Sequence, residues 1–301
     1  SFVKGLVDSE DLSLNISREM LQHDRQLKLI AKSIERTIRN ELKKTLTNDR
    51  EKYEAFWKNF GLQIKYGLYN NYGMDKENLK DLLLFYSSAE KKLTTLGEYV
   101  TRMREGQEII YFASGESVAK IDALPQTEML KEKGYEILYL TDNVDEFALQ
   151  MLVEYDGKEF KSVQSSDVDF ETEEEKAKKK ETLEQNRDML DEMKKALGDK
   201  VADVRISARL RSHPVCLTSD GAFSLEMEKI LSGMPDAGQN KPKADKVLEI
   251  NANHAIFEKL RFLCDNDKEK LAVYADILFT QAMLIEGMAI DDPVDYCNKV
   301  C

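Results

Sequence analysis

The segment EIIYFA at residues 108–113 is the first of three short runs rich in aromatic and β-branched residues. YEILYL at 135–140 and FKSV at 160–163 are the other two. Each run has the length and composition of a strand. Helical spacing of apolar residues lies between them, at 116–124, 129–133 and 144–155. Strands that alternate with helices over such short distances predict a small α/β layer with a mainly parallel sheet.

The first hundred residues are mostly helical in pattern. A short strand is expected at 2–7, and Ser17 can cap the next helix. That helix carries an apolar face with spacings of three and four: Leu27, Ile30, Ile34, Ile38 and Leu42. A new helix start is expected at Asn48, followed by an aromatic stripe that is more typical of a packed core than of a ligand site: Tyr53, Phe56, Trp57, Phe60 and Ile64. A further helix is expected at 75–86, and Thr95 with Glu98 matches a capping box.

The segment 167–181 is almost entirely charged, which indicates a solvated connector or the start of a helix and gives the best domain boundary. Beyond it, strands are expected at 201–207, 214–218 and 247–251, with the first two paired. Helices are expected at 183–197, 223–231, 255–263 and 268–285, and a last one that Asp292 caps with Pro293 in first position. The expected fold class is therefore α/β and α+β multidomain.

Composition excludes several classes of protein. The chain has 301 residues and a net charge of -12, which disfavours broad nucleic-acid binding and an anionic membrane surface. No apolar run approaches the roughly 20 residues of a membrane helix. Four scattered cysteines suggest reduced thiols and a cytoplasmic location. Cys297 and Cys301 are four apart, but without a second pair or a nearby histidine they do not predict a metal site.

Motifs of familiar enzymes are missing from the sequence. There is no Walker loop, dinucleotide fingerprint or metalloprotease helix. The nearest phosphate-loop mimic, residues 114–117, has one glycine, and Glu116 would repel a phosphate. The three histidines lie far apart in sequence and support no Ser-His-Asp chemistry. From the residues alone, the prediction stops at a soluble α/β protein with long helices.

One segment has a much more specific pattern. VKGLVDSEDLSLNISREMLQ at 3–22 closely resembles the signature of the ninety-kilodalton heat-shock protein family. Further blocks resemble the same family, in its order and over almost the whole chain: EYVTRMREGQ at 98–107, GYEILYLTD at 134–142, LEIN at 248–251 with His254, and DDP at 291–293. The short connectors resemble the bacterial form.

This resemblance implies a domain plan. Residues 1–167 would be the later part of a middle domain, divided into 1–95 with a catalytic loop and helical bundle, and 96–167 as a small α/β subdomain. Residues 168–182 would be the connector, and 183–301 a C-terminal dimerisation domain cut at its end. An ATP-binding domain would lie upstream, so ATP and Mg would be cofactors of the full-length protein only. The missing initiator Met and the ending at Cys301, inside an apparent helix, also suggest a fragment.

The resemblance also implies a function. The chain would be part of a molecular chaperone of the stress response that binds non-native client proteins and forms a homodimer, and it leaves open whether co-chaperones bind. In the full-length protein it would couple ATP hydrolysis to client remodelling, and alone it would be inactive as an ATPase. The alternative from another class is a non-catalytic dimeric scaffold. An α/β enzyme that uses the Gly115 loop is the weakest alternative.

Site residues carried over from the family fall into three sets. Arg18 and Gln22 match polar residues that reach the ATP site, where a guanidinium stabilises the charge of phosphoryl transfer; the alternative is that Arg18 caps its helix. The client-contact set, for which a core role is the alternative, is Glu146, Phe147, Gln150, Phe223, Met227, Ile230 and Leu231. The dimer-interface set is Leu271, Tyr274, Ile277, Leu278, Met283 and Leu284. No metal ligand is expected.

Overall fold

The structure is a computed structural model that describes residues 4–5, 25–168, 173–233 and 242–301. The expected strand at 2–7 lies largely outside these ranges, and the Ser17 cap, Arg18 and Gln22 lie wholly outside them.

Most helices and strands follow the expected order with shifted ends, but the strands at Leu84–Ser87, Leu93–Thr95 and Glu154–Tyr155 were not predicted. The α-helices are α1 (Arg25–Asn48), α2 (Arg50–Asn70), α3 (Lys76–Leu79), α4 (Leu96–Arg102), α5 (Val118–Asp122), α6 (Glu128–Glu132), α7 (Asp145–Leu152), α8 (Glu173–Gln185), α9 (Arg187–Leu197), α10 (Leu225–Ser232), α11 (Ala255–Asn266), α12 (Lys268–Ile285) and α13 (Pro293–Val300). The strands are β1 (Leu84–Ser87), β2 (Leu93–Thr95), β3 (Ile109–Ser114), β4 (Leu138–Leu140), β5 (Glu154–Tyr155), β6 (Lys158–Ser162), β7 (Asp203–Ile206), β8 (Val215–Asp220) and β9 (Asp245–Ile250).

The first sheet has the strand order β2-β1-β4-β3-β6-β5. Its centre is parallel, because β4 and β6 both run with β3. The pairs β1–β2, β1–β4 and β5–β6 are antiparallel, so the prediction of a mainly parallel sheet was wrong at the edges. Short hairpin connections join β1 to β2 and β5 to β6, and such connections can only link antiparallel strands.

The predicted helix at 75–86 was wrong in its second half. The chain is helical from Lys76 to Leu82, with a 3₁₀ turn at the end, and then becomes strand β1. Leu82, Leu83, Leu84 and Phe85 are all buried. A continuous apolar run has no periodicity that separates a buried strand from a buried helix. Pairing with β2 and β4 decides between them.

Alternation along the central strands divides the core between the two faces of this sheet. Ile110 and Phe112 of β3 join a cluster that packs against α2, α4 and α7. Tyr111 and Ala113 point the other way and join a second cluster with α5 and α6. The period of two in a strand produces this division. The aromatic stripe of α2 contributes Tyr53 and Trp57 to the first cluster, as expected of a packed core.

A buried ion pair fixes α7 against α2. Lys65 Nζ lies 2.6 Å from Asp145 Oδ1 and 2.8 Å from Asp142 Oδ2, and the side chains of Lys65 and Asp145 are almost inaccessible to solvent. The ammonium group also lies over the rings of Trp57 and Phe85. A buried charge requires such partners, so α7 has a fixed position on the sheet.

The second sheet has the order β7-β9-β8. Strands β7 and β8 were predicted to pair with each other, which was wrong: each pairs with β9 between them. Helices α9, α11 and α12 cover this sheet with a third apolar cluster. The predicted helix at 183–197 is broken at Asn186 into α8 and α9, and α8 occupies much of the predicted connector.

Helix caps follow the sequence closely. Thr95 and Glu98 form the expected capping box of α4. Asp292 accepts hydrogen bonds from the amides of Val294 and Asp295, and Pro293 is the first residue of α13. Helix α2 is capped by Asp49, one residue after the expected start. Within the described ranges, no helix is long and apolar enough to cross a membrane.

Candidate functional site

The two sheets meet along a polar contact surface, here called the seam. Its backbone contacts are the hydrogen bond from Ser219 N to Gln164 O at 3.0 Å and the one from Ser166 N to Ser219 O at 3.0 Å. Ser165 and Ser219 form a parallel bridge. The seam therefore joins the end of β6 to strand β8 of the second sheet.

A carboxylate and two amides lie at the centre of the seam. Gln126 and Gln164 donate to the two oxygens of Glu286, at 2.5 Å and 2.8 Å. Gln126 Nε2 also donates to Leu217 O, and Gln164 Oε1 accepts from Ser114 N. All three side chains are buried. Glu286 directly follows α12, which is the longest of the helices that cover the second sheet. The cluster therefore connects this helix to the first sheet.

Arg209 makes a second buried connection across the seam. Its Nη1 donates to Val163 O at 2.5 Å, and its Nε donates to Glu249 Oε2 at 3.1 Å. Ser207 and Thr218 donate to the same carboxylate. The side chains of Arg209 and Glu249 are 2% and 6% exposed. A guanidinium satisfies several acceptors in one plane, which suits it to a buried junction.

Glu128 makes a third connection at the surface. Its carboxylate accepts from the amides of Arg211 and Ser212 at 2.7 and 3.2 Å and lies 2.7 Å from His213 Nδ1. Partial burial opposes ionisation, but hydrogen bonds from Ser212, the Arg211 amide and His213 lower the pKa of Glu128 to about 2.

Helices α7 and α10 approach each other at one end of the seam. Ser224 donates its hydroxyl to Glu146 Oε2. Gln150 Nε2 donates to Ala222 O at 3.0 Å and lies 3.6 Å from Met227 Sδ. Beside these contacts is an open cleft of about 250 Å³, here called the seam cleft. Its lining includes Phe112, Glu146, Leu149, Gln150, Val153, Phe160 and Met227.

Val153 at the rim of the seam cleft has a strained backbone. Its φ is 70°, a left-handed conformation that β-branched residues rarely adopt. The hydrogen bond from its amide to Leu149 O ends α7. The side chain is nonetheless 63% exposed. Backbone strain that holds an apolar side chain in solvent is typical of functional sites.

Only part of the predicted client-contact set lies at this place, and its members differ in exposure. Glu146 and Met227 are buried, and Gln150 is exposed. Phe147 is half-buried, and its ring lies 5.6 Å from that of Tyr69. Phe223, Ile230 and Leu231 are half-buried. Of the set, Glu146, Gln150 and Met227 line the seam cleft.

The predicted dimer-interface residues lie on α12 but do not share one face. Leu271 and Leu278 are buried in the apolar cluster of their own chain. Tyr274 and Met283 pack against the edge of this cluster. Ile277 is half-buried, and Leu284 is 46% exposed. A partner could contact Leu284 directly, whereas Leu271 and Leu278 stabilise the protomer itself.

Comparison with known proteins gives the family. The family model described as Hsp90 protein matches residues 1–301. The chain belongs to the Hsp90 protein family. Chaperone protein HtpG of Bacillus subtilis is 59% identical over 301 residues, which are 100% of this chain and 48% of that protein. The HtpG proteins of Alkaliphilus metalliredigens and Clostridium perfringens are 58% and 56% identical, over 48% and 47% of their lengths. The chain thus spans about half the length of the curated Hsp90 relatives it matches.

Sequence reasoning missed the residues that build the seam of this Hsp90 chain. Gln126, Gln164, Arg209 and Glu286 carry no motif. The only signal was a polar residue beside an apolar run, as Glu286 is after α12. Among the described residues, no group of three or more His, Cys, Asp or Glu side chains could hold a metal ion.

Burial of Glu146 and Glu286 predicts that stability depends on pH. Desolvation raises the pKa of each carboxyl group to about 7, whereas a glutamate in an unfolded chain titrates near about 4.3. Between these values the unfolded chain loses protons that the folded chain keeps. The free energy of unfolding therefore falls as pH rises through this window, by about 3–4 kcal/mol for each group. We expect a higher urea midpoint at about pH 5 than at about pH 8.

Substitutions at a buried and at an exposed glutamate test this prediction. Glu286 faces Gln164, Gln126, Lys229 and Glu226, and Glu146 faces Ser114, Ser224, Glu226 and Asp145. Glu286→Gln should remove part of the pH dependence, and Glu159→Gln, at an exposed position on β6, should leave it intact. A midpoint that rises between these pH values would contradict the assignment.

Proposed function

We propose that this chain is part of a molecular chaperone that holds non-native segments of client proteins. The observation that carries the proposal is the seam cleft, in which Glu146 and Gln150 of α7 lie beside Met227 of α10. Met227 is distant in sequence from Glu146 and Gln150, and all three were assigned to client contact by resemblance. An apolar cleft with an exposed rim offers a surface on which an unfolded segment can bury apolar side chains.

We further propose that, in the full-length protein, ATP and Mg bind in a domain upstream and that hydrolysis there is coupled to client remodelling. Arg18 and Gln22 would contribute to that site. Residues 1–167 would be the later part of the middle domain, 168–182 the connector and 183–301 the dimerisation domain. The membership of the Hsp90 family supports this plan. We propose the cytoplasm as the location, since all four cysteines are free thiols.

Light scattering of an aggregating client tests the chaperone proposal. We expect the chain to suppress aggregation and Val153→Asn to lower this protection several-fold, because the change replaces an apolar side chain at the rim of the seam cleft with a polar, uncharged one. The fold should survive, since the Val153 side chain is exposed.

A matched control removes a larger apolar side chain elsewhere. Phe262 on α11 is 62% exposed and does not line the cleft, so Phe262→Asn should protect the client as the unchanged chain does. Absence of protection at every chaperone-to-client ratio would reject the proposal and favour the dimeric scaffold.

We also propose a homodimer formed through α12 and α13. Apolar side chains are exposed at the end of α12 and along α13: Leu284, Ile285, Val294 and Val300. Leu284→Asp should convert a sedimenting dimer into a monomer, because a buried unpaired carboxylate at an interface is costly. Leu29→Asp on α1, at a position of similar exposure, should leave the dimer intact. An unchanged mass for Leu284→Asp, or a monomeric unchanged chain, would reject this interface.

A further inference from the structure

The seam cleft has an apolar floor and a carboxylate in its wall. Phe112, Leu149, Phe160 and Met227 supply the floor, and Glu146 lies among them. The volume of about 250 Å³ is below the roughly 300–1,000 Å³ of sites for whole small ligands. The cleft therefore fits one long side chain.

The charges around the cleft leave Glu146 without a cation. Lys161 and Asp167 both line the cleft, and they neutralise each other at 2.8 Å. The nearby carboxylates are paired as well: Asp145 with Lys65 and Glu226 with Lys229, each at 2.6 Å. Among the residues that the structure describes, no lysine, arginine or histidine forms an ion pair with Glu146.

One oxygen of Glu146 also lacks a hydrogen bond. Oε2 accepts from Ser224, but Oε1 has no partner of normal geometry within the described part of the chain, and neither has the hydroxyl oxygen of Ser114 beside it. The Glu146 residue is only 5% exposed. A buried acceptor without a well-placed donor is costly, and because Oε1 is closed off from solvent, a ligand reaches it only when the Glu146 side chain turns toward the cleft.

We propose that the seam cleft binds a lysine or arginine side chain of the client, with its methylene stem on the apolar floor and its charged head against the carboxylate of Glu146 after that side chain has turned toward the cleft. This rests on the proposed chaperone function and adds the chemistry that the site selects. Long basic side chains bury their stems on apolar surface in this way. A hydrogen bond between an ionised carboxylate and a cation is about twice as strong as a neutral one. A neutral apolar side chain would cover the floor but leave Oε1 unsatisfied.

Binding of a basic side chain should depend on pH, because it is coupled to the release of a proton from Glu146. Desolvation raises the pKa of Glu146 to about 7, so the free carboxyl group is substantially protonated at neutral pH. A cation favours the ionised form and releases that proton. Affinity for a basic side chain should therefore rise as pH increases through about 7, while affinity for a neutral one should not.

Two fluorescent unstructured peptides test the proposal: one alternates phenylalanine with lysine, and the other has norleucine in place of every lysine. Fluorescence anisotropy with the full chain, at about 0.15 M salt to screen long-range attraction, gives the affinities. We expect Glu146→Gln to weaken the lysine peptide roughly tenfold, which is about 1.4 kcal/mol, to abolish its pH dependence, and to leave the norleucine peptide unchanged. Glu159→Gln makes the same change in net charge outside the cleft and should alter neither affinity.

The other outcomes separate this proposal from the chaperone function. If Glu146→Gln weakens both peptides equally, or neither, the charge selection is overturned while client binding stands. If neither peptide binds the unchanged chain and no client is protected, both proposals fail. A urea midpoint for Glu146→Gln that is no lower than that of the unchanged chain at about pH 6, where the substitution removes the cost of protonating the buried carboxyl group on folding, establishes that the fold is intact.

Discussion

Leu278→Asp is expected to unfold the part of the chain that is built on the second sheet. The expected loss in the free energy of unfolding is about 5 kcal/mol. Leu278 is 4% exposed and lies in the apolar cluster of α9, α11 and α12. The change removes a packed side chain and puts a carboxylate among apolar side chains. Urea denaturation followed by circular dichroism measures the effect.

The control is a residue on the same helix that faces solvent. Val273 is 38% exposed, so Val273→Asp should change the free energy of unfolding by less than about 1 kcal/mol. If Leu278→Asp kept its midpoint and only dissociated a dimer, Leu278 would belong to the interface that resemblance suggested. This comparison separates the core of the protomer from the surface that a partner covers.

Arg209→Met is expected to cost about 3–5 kcal/mol, because it leaves Glu249 buried without its cation. It also removes the donor to Val163 O, so the seam loses a bond between its two sides. Among the residues that the structure describes, Glu249 would then keep hydrogen bonds from the hydroxyls of Ser207 and Thr218. Thermal unfolding and urea denaturation both measure the loss.

Arg211→Met provides the matched control two residues away. Arg211 pairs with Glu132 at 2.6 Å, but the two side chains are 38% and 61% exposed, and exposed ion pairs contribute at most about 1 kcal/mol. The double change Arg209→Met with Glu249→Met should recover part of the stability, since it removes both buried charges. If Arg209→Met and Arg211→Met lowered the free energy of unfolding equally, burial would not determine how much these ion pairs contribute to stability.

The local parts of the fold were predictable because their causes are local. The capping box at Thr95 and the Asp292-Pro293 start of α13 depend on side chains within three residues of the backbone they satisfy. The central strands β3 and β4 were predicted from short runs rich in aromatic and β-branched residues between helical segments. Errors occurred where burial is complete, as at Leu82–Phe85, because a run that is apolar on every side carries no period.

The client-contact residues were predicted only through the resemblance to the family. Which of their side chains are buried and which are exposed could not be predicted from the sequence. Nothing in the sequence tells that Glu146 is buried by Ser224, which is 78 residues away, or that Leu278 faces its own core. Either side chain would fit the amphipathic pattern of a surface helix.

Blocks of consecutive residues identify the family, and short-range patterns predict most helices, the central strands β3 and β4, and the caps at Thr95 and Asp292. The seam depends instead on the tertiary fold: Gln126 and Gln164 reach Glu286 across 160 and 122 residues. Hydrogen bonds and desolvation depend on distance in space, and packing of the two sheets sets that distance. The same packing leaves Glu146 buried without a cation, which is why the proposed selection of basic side chains could not be read from the sequence.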